Sequence, residues 1–208
     1  MGRREDNKAR TRQRIIDVAL ELFRKRGFEG TRVQDIVERV GVSPATFFNY
    51  FPSKLAVVEA LNQGSADLYE AFLRYVVDMA EVPVLVRLEQ LTRTMGMYLM
   101  ADPEIIRLMV VHGRLFGGDA STPSDDARTE FDLLVALFAQ GQARGEIDPG
   151  LDPVLLAGLY TAAYIAVATA WVMQWPSPTD EPVSERLVAA LDVLLWGAAR
   201  SRTGTANS

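Results

Sequence analysis

The chain holds few residues able to do covalent or metal chemistry. Its 208 residues include no cysteine and one histidine, His112, which excludes thiol nucleophiles, disulfides, thiolate metal sites and a two-histidine zinc site. Carboxylates such as Glu104 and Asp119 are scattered without acid–base spacing, and no nucleophile motif or phosphate-cradling glycine loop is present. Neither an enzyme nor a cofactor nor a metal is expected. The chemistry that is concentrated is recognition. On a helical wheel at about 100° per residue, Pro44, Phe47 and Phe51 share one side, the side expected to be buried. Asn49 leads the opposite side, with Ala45 and Thr46 beside it and Tyr50 beyond. That second face is small, polar and free of negative charge, as a face laid against base-pair edges should be. Lys54 follows in the first turn of the next helix, where the helix dipole disfavours a cation. A phosphate nearby reverses that sign, because ammonium and helix N-terminus then attract the same anion.

The elements that must position these residues are helices throughout. Over residues 7–26, Ile15, Ile16, Ala19, Leu22 and Phe23 form one apolar stripe that Gly27 ends. Thr31 and Gln34 have capping-box spacing for a short second helix with Val33, Ile36, Val37 and Val40 as its apolar face. Gly41 breaks it, and Ser43-Pro44 supplies an N-cap and an N1 proline for a third helix reaching Tyr50. Two short helices around a sharp turn, the second about two turns long, have the layout of a helix-turn-helix. Pro52-Ser53 starts a long fourth helix over about 54–79. Pro83, Asp102-Pro103, Gly117-Gly118, Gly145 and Pro182 then delimit helices over roughly 84–101, 104–116, 125–144, 151–174 and 183–201. The expected fold is all-α with about nine helices. A head over 1–53, comprising an arm and three helices, precedes a helical body over 54–202 and a disordered tail over 203–208.

Charge follows the same division. The chain is acidic overall, at −5, yet residues 1–60 carry 12 Lys and Arg against 8 Asp and Glu, and residues 61–208 carry 10 against 19. A basic head on an acidic body is expected when only the head meets phosphates. The first residues hold Arg3, Arg4, Lys8, Arg10, Arg12 and Arg14 against Glu5 and Asp6, which suits an arm lying along DNA and equally a solvated tail.

Residues 11–61, including GFEGTRVQDIVERVGVSPATFFNYFPSK, closely resemble the DNA-binding domain of the tetracycline-repressor (TetR) family. The resemblance implies a transcriptional repressor, a homodimer whose heads bind the two halves of a near-palindromic operator. It also implies release by a small molecule held in the body. The lack of cysteine and of an apolar N-terminal run makes a reducing cytoplasm the expected location. Carried over by position, Ala45 and Asn49 match base-facing sites, and Thr46, Phe48, Tyr50 and Lys54 match the phosphate-contacting set. Gln34 stands where a base-contacting arginine is common, so it is open to either base contact or capping. Asn49 is open to either an adenine or a phosphate. Leu55 and Ala56 replace the acidic residues that usually follow the lysine.

Residues 153–179 carry no charged side chain, long enough to span a membrane. The run is rich in Ala, Thr and Gly and lacks basic flanks, so no membrane is expected. Ala162, Ala163, Ala166 and Ala170 permit close helix approach, and the last helix is apolar through Leu187, Val188, Leu191, Leu194 and Leu195. Together these two helices are expected to form a four-helix dimer seam, as the resemblance also implies. Between head and seam most aromatics and methionines are expected to be core, and the resemblance implies an apolar cavity for an aromatic or otherwise apolar effector among Tyr75, Met95, Tyr98, Met109, His112, Phe116, Phe138 and Tyr164.

Overall fold

The structure, a computed structural model, describes residues 3–112, 125–174 and 180–199. Phe116, Asp119 and the tail over 203–208 lie outside these residues. Among them the chain forms nine α-helices and no strand: α1 (Arg3–Arg26), α2 (Val33–Val40), α3 (Pro44–Tyr50), α4 (Lys54–Asp78), α5 (Val84–Ala101), α6 (Pro103–Val111), α7 (Asp125–Ala143), α8 (Pro153–Val172) and α9 (Val183–Ala199).

The helix ends have local causes. Glu5 and Asp6 in the first turn of α1 complement the dipole, and the helix begins at Arg3, earlier than its apolar stripe suggests. Lys8, Arg10, Arg12 and Arg14 therefore stand on a helix and not on a tail. Gly41 closes α2 at φ 80°, a left-handed conformation that suits glycine, and its N–H bonds to the Val37 carbonyl. Ser43 caps α3 by accepting from Thr46 N–H at 3.0 Å, and Ser53 caps α4 by accepting from Ala56 N–H at 3.0 Å.

The cap expected from Thr31 and Gln34 is not formed. Thr31 is buried and donates its hydroxyl to the Gly27 carbonyl at 2.9 Å, closing the end of α1 instead. The N-cap of α2 is Arg32, whose N–H donates to the Asp35 carboxylate at 2.8 Å. Gln34 points outward and bonds Glu38 one turn along. Helix α6 also stops early, with His112 as its C-cap.

Two apolar cores lie one beyond the other. The first joins α1–α3 to the start of α4 through Ile15, Phe23, Ile36, Phe47, Phe51 and Val58. It continues without a break into Leu99, Ile106 and Met109 of α5 and α6, Tyr164 and Ala168 of α8 and Leu187 of α9. The second gathers Leu73 and Val76 from the far end of α4 with Leu88, Leu91, Phe138, Leu156, Tyr160 and Leu191. Helix α4 threads both and so links them.

α5 packs most extensively on α9, and α9 also packs on α8. Gly96 makes the α5–α9 approach possible: a Cβ there would lie 2.5 Å from the Cα of Ser184. This close contact takes up the apolar stripe of α9. Leu187, Val188 and Leu191 are buried against their own chain, which leaves Val193 exposed. Leu194 and Leu195 of the same stripe are half-buried. Helix α8 is apolar on every side, yet only Leu156, Ala157, Tyr160, Tyr164 and Ala168 are buried. Val154, Leu155, Leu159, Ile165 and Met173 face outward, as do Ala162 and Ala166. Among the described residues α8 alone is long and apolar enough to cross a membrane; it packs on α6, α7 and α9 of this chain.

Candidate nucleic-acid interface and cavity

Helix α3 is a two-sided element. Phe47 is fully buried and Phe51, just past its end, nearly so, and their rings stand 6.0 Å apart in the first core. Pro44, expected beside them, is exposed instead, because the first helical position lies at the rim of the turn and not over the core. Ala45, Phe48 and Asn49 are exposed, while Thr46 and Tyr50 are half-buried. Thr46 shares a hydrogen bond with the Ser43 hydroxyl at 2.8 Å, which fixes its rotamer. Phe48 is 52% exposed and rests edge-on against Phe47, leaving a large apolar ring at the surface beside Asn49. Gln34 is exposed on α2.

Lys54 is neither extended into water nor projected along the dipole of α4. Its Nζ donates to the carbonyls of Phe28 and Thr31, the latter at 2.9 Å, and lies 4.1 Å from the centre of the Phe28 ring. The carbonyls and the ring face offset the unfavourable dipole that the sequence exposes. The ammonium thus holds the α1–α2 turn, with at most one of its three donors left for another partner.

The Phe28 ring also packs, tilted by 59° in each case, against Phe23 at 5.1 Å and His112 at 5.6 Å. His112 therefore packs at the junction of head and body. At the other end of α6, the Asp102 carboxylate accepts from Arg24 of α1, with Nε at 2.8 Å, and also caps α6 itself. Helix α6 is fastened to the head at both its ends. Glu21 joins α1 to α2 in the same way, bonding Lys25 and, at 2.7 Å, Arg39. The hydrogen bond from Lys25, and the charges of both partners, hold the Glu21 carboxyl below its ordinary range.

A cavity of about 80 Å³ lies between α4, α5, α7 and α8. Tyr69 and Met95 border it from α4 and α5, and Tyr160, Thr161 and Tyr164 from α8. On α7 the spacing of Ala127, Glu130, Phe131 and Leu134 puts all four on one face toward it. The cavity marks the boundary of the two cores: Met95 and Tyr164 belong to the first, Leu134 and Tyr160 to the second, and Tyr69 packs against both. Burial raises the phenol of Tyr160 to about 12, partly opposed by its 3.0 Å hydrogen bond with Thr92. Burial, and then neighbouring phenols and the Glu130 carboxylate, push the phenols of Tyr69 and Tyr164 up as well. All three stay neutral at physiological pH.

Of the residues expected around an effector, Met95 and Tyr164 border this cavity. Met109 is buried in the first core and Phe138 in the second. Tyr75 is 62% exposed and Tyr98 partly so, since α4 and α5 each keep an outer face where an aromatic can lie in water. His112 is against Phe28. Glu130 and Thr161 were not anticipated. The available signal was an acidic residue at the edge of the apolar 127–131–134 stripe of α7.

The model of the tetR family of bacterial regulatory proteins matches residues 15–61. The chain is similar to the HTH-type transcriptional repressor DhaR of Mycobacterium sp. (strain GP1), at 30% identity over 196 residues, covering 88% of this chain and 92% of that one. It is similar also to the HTH-type transcriptional repressor KstR of Mycobacterium tuberculosis, at 28% identity over 185 residues, 88% of this chain and 80% of that one. Among solved structures, FadR of Thermus thermophilus, a TetR-family repressor in complex with lauroyl-CoA, superposes with a TM-score of 0.68. It covers 95% of this chain and 99% of its own at 24% identity, a likeness of fold. A two-sided α3 behind a capped turn, the matched head and the near-full-length similarity to DhaR together lead to one assignment: the chain belongs to the tetR family of bacterial regulatory proteins and is a helix-turn-helix, DNA-binding transcriptional regulator.

Proposed function

We propose that the protein is a cytoplasmic, homodimeric repressor that binds a near-palindromic operator through two copies of α3 and releases it when a small molecule enters the cavity between the cores. The observation that carries the release step is the position of that cavity. It has residues of both cores in its wall, and α4 runs from the recognition helix past it. A ligand that enters there parts α7 from α4, α5 and α8, and the displacement of α4 resets the spacing of the heads. Coupling of this kind typically changes affinity by about 1–3 kcal/mol.

Dimerisation is supported by α8. An apolar helix with Leu155, Leu159, Ala162 and Ala166 outward needs a partner surface, and small residues allow a second helix to approach closely. On the DNA side, Ala45 and Asn49 face base edges. Thr46, Phe48 and Tyr50 lie against the backbone, and Gln34 reaches a neighbouring base or phosphate from α2. Lys54 contributes through the turn it holds and through its remaining donor. The relatives called repressors, and the neighbour with an acyl-CoA bound, support repression and effector control.

Selection from a random duplex pool at low ionic strength tests the reading. Recovery of a two-fold symmetric site by a dimer is expected. A monomer indifferent to every duplex would overturn it, and an effector that binds yet leaves the gel shift of that site unchanged would overturn the release step.

A further inference from the structure

We propose that Phe48 reads a thymine through its 5-methyl group, so that an apolar contact, and not a hydrogen bond, sets one A·T pair in each half-site. This rests on reading α3 as the recognition helix. It moves Phe48 from the backbone contacts, where its place in the sequence puts it, to the base-reading face.

The residues of α3, PATFFNY, include no lysine, arginine or carboxylate. The helix therefore brings neither the cationic side chain that commonly pairs with guanine nor the acceptor that suits the cytosine amino group. Thr46 is half-buried and shares its hydroxyl with Ser43 at 2.8 Å. Tyr50 is half-buried as well, whereas Ala45, Phe48 and Asn49 are exposed. Residues three and four apart lie on one face of a helix, so these three form one surface. Its largest part is the Phe48 ring, 52% exposed and seated at 88° on the buried Phe47 with the centroids 5.4 Å apart. An edge-to-face pair of this kind fixes the orientation of the outer ring.

A phenyl ring has no atom that can donate to a phosphate oxygen. Laid on a G·C pair it would cover the guanine acceptors or the cytosine amino group and strip them of water without replacing the lost hydrogen bonds. The major groove presents one apolar group, the C5-methyl of thymine. A ring in contact with that methyl removes apolar surface from water on both sides and strands no polar atom. Ala45, one turn earlier, is too small to hold the ring away from the bases. Asn49, the next residue, has the amide that pairs with adenine. Methyl contact and amide contact thus select the same kind of base pair from neighbouring positions on one helix.

The test uses the full-length protein and a symmetric duplex that it selects from a random pool. Each thymine is replaced in turn by deoxyuridine, which lacks only the methyl group, and affinity is read by fluorescence anisotropy at one fixed ionic strength. One thymine in each half-site is expected to be sensitive. Its replacement should weaken binding about fourfold in one half-site and about fifteenfold in both, the effect of one buried methyl group at each. Phe48→Ala should bind the thymine and deoxyuridine duplexes alike, and Phe48→Leu, still apolar, should keep part of the preference. Cytosine at the sensitive position should bind weakly and regain affinity as 5-methylcytosine. The deoxyuridine series on the unsubstituted protein decides the matter even if a variant folds poorly. Equal affinity for every deoxyuridine duplex would overturn the proposal, with the ring then resting on sugar, and would leave α3 as the recognition helix. A methyl effect that persists in Phe48→Ala belongs to another residue and overturns it too. If no duplex is selected at all, the reading of α3 falls and this inference falls with it.

Discussion

Gly96 of α5 and Ser184 of α9 meet backbone to backbone, so closely that a methyl group on Gly96 would lie 2.5 Å from the Ser184 Cα and 2.7 Å from its Cβ. Neither contact atom is the free end of a flexible side chain, so the helices themselves must separate to admit it. Gly96→Ala is expected to destabilise the protein by about 1–3 kcal/mol, the range for overpacking a close-fitted site, despite the better helix propensity of alanine. Urea denaturation checks this; an unchanged midpoint would show that α5 and α9 slide apart at little cost.

Lys54 gives a second expectation. Lys54→Met keeps most of the side chain's length but removes a charged donor from the Phe28 and Thr31 carbonyls and a cation from the Phe28 ring. A loss of about 1.5–3 kcal/mol follows if the ammonium organises the α1–α2 turn. If stability holds and only DNA affinity falls, Lys54 serves the nucleic acid alone.

Asn49 should behave in the opposite way. It is exposed on α3, so Asn49→Ala is expected to leave the melting temperature unchanged within a degree or two. It should weaken operator binding by about 1–3 kcal/mol if its amide reads a base edge. Binding to mutated operators separates the two roles left open for it. A loss confined to one base position marks base reading, and a uniform loss marks a phosphate contact.

The buried phenols predict how stability ends at high pH. The Tyr160 phenol titrates near 12 in the folded protein and near 10 when unfolded. Its folded value is the higher, so its contribution is complete below pH 10 and is lost as pH rises from 10 towards 12, up to about 3 kcal/mol. Tyr69 and Tyr164 shift in the same direction and steepen the fall. Chemical denaturation across pH 9–12 should show it, and Tyr160→Phe should flatten it. A stability independent of pH over that window would mean that water reaches these hydroxyls.

The head was legible because its signals are local. Ser43, Pro44 and Gly41 act within a turn or two of their own positions, and the caps and breaks they imply are those found. The exception there, Thr31, was drawn away from its expected cap by a carbonyl of the preceding helix. The body was legible in helix number and less so in facing. An apolar stripe such as Leu187–Val188–Leu191 announces burial but not the surface that buries it, and α5 of the same chain does so here. The residues expected around an effector are spread over different surroundings for a related reason. Tyr75, Phe138 and His112 are alike in composition, yet one lies in water, one in a core and one against Phe28. Only the crossing of α4, α5, α7 and α8 distinguishes a lining residue from any other aromatic.

The unbroken first core has a consequence for taking the protein apart. Phe23, Phe47 and Val58 share one apolar interior with Met109, Tyr164 and Leu187. A fragment ending after α3 would leave part of its own inner wall facing solvent, and so should be a poor autonomous folder. Inherited substitutions deep in the body, far from any base pair, would then abolish regulation simply by loosening the floor on which the reading helix stands.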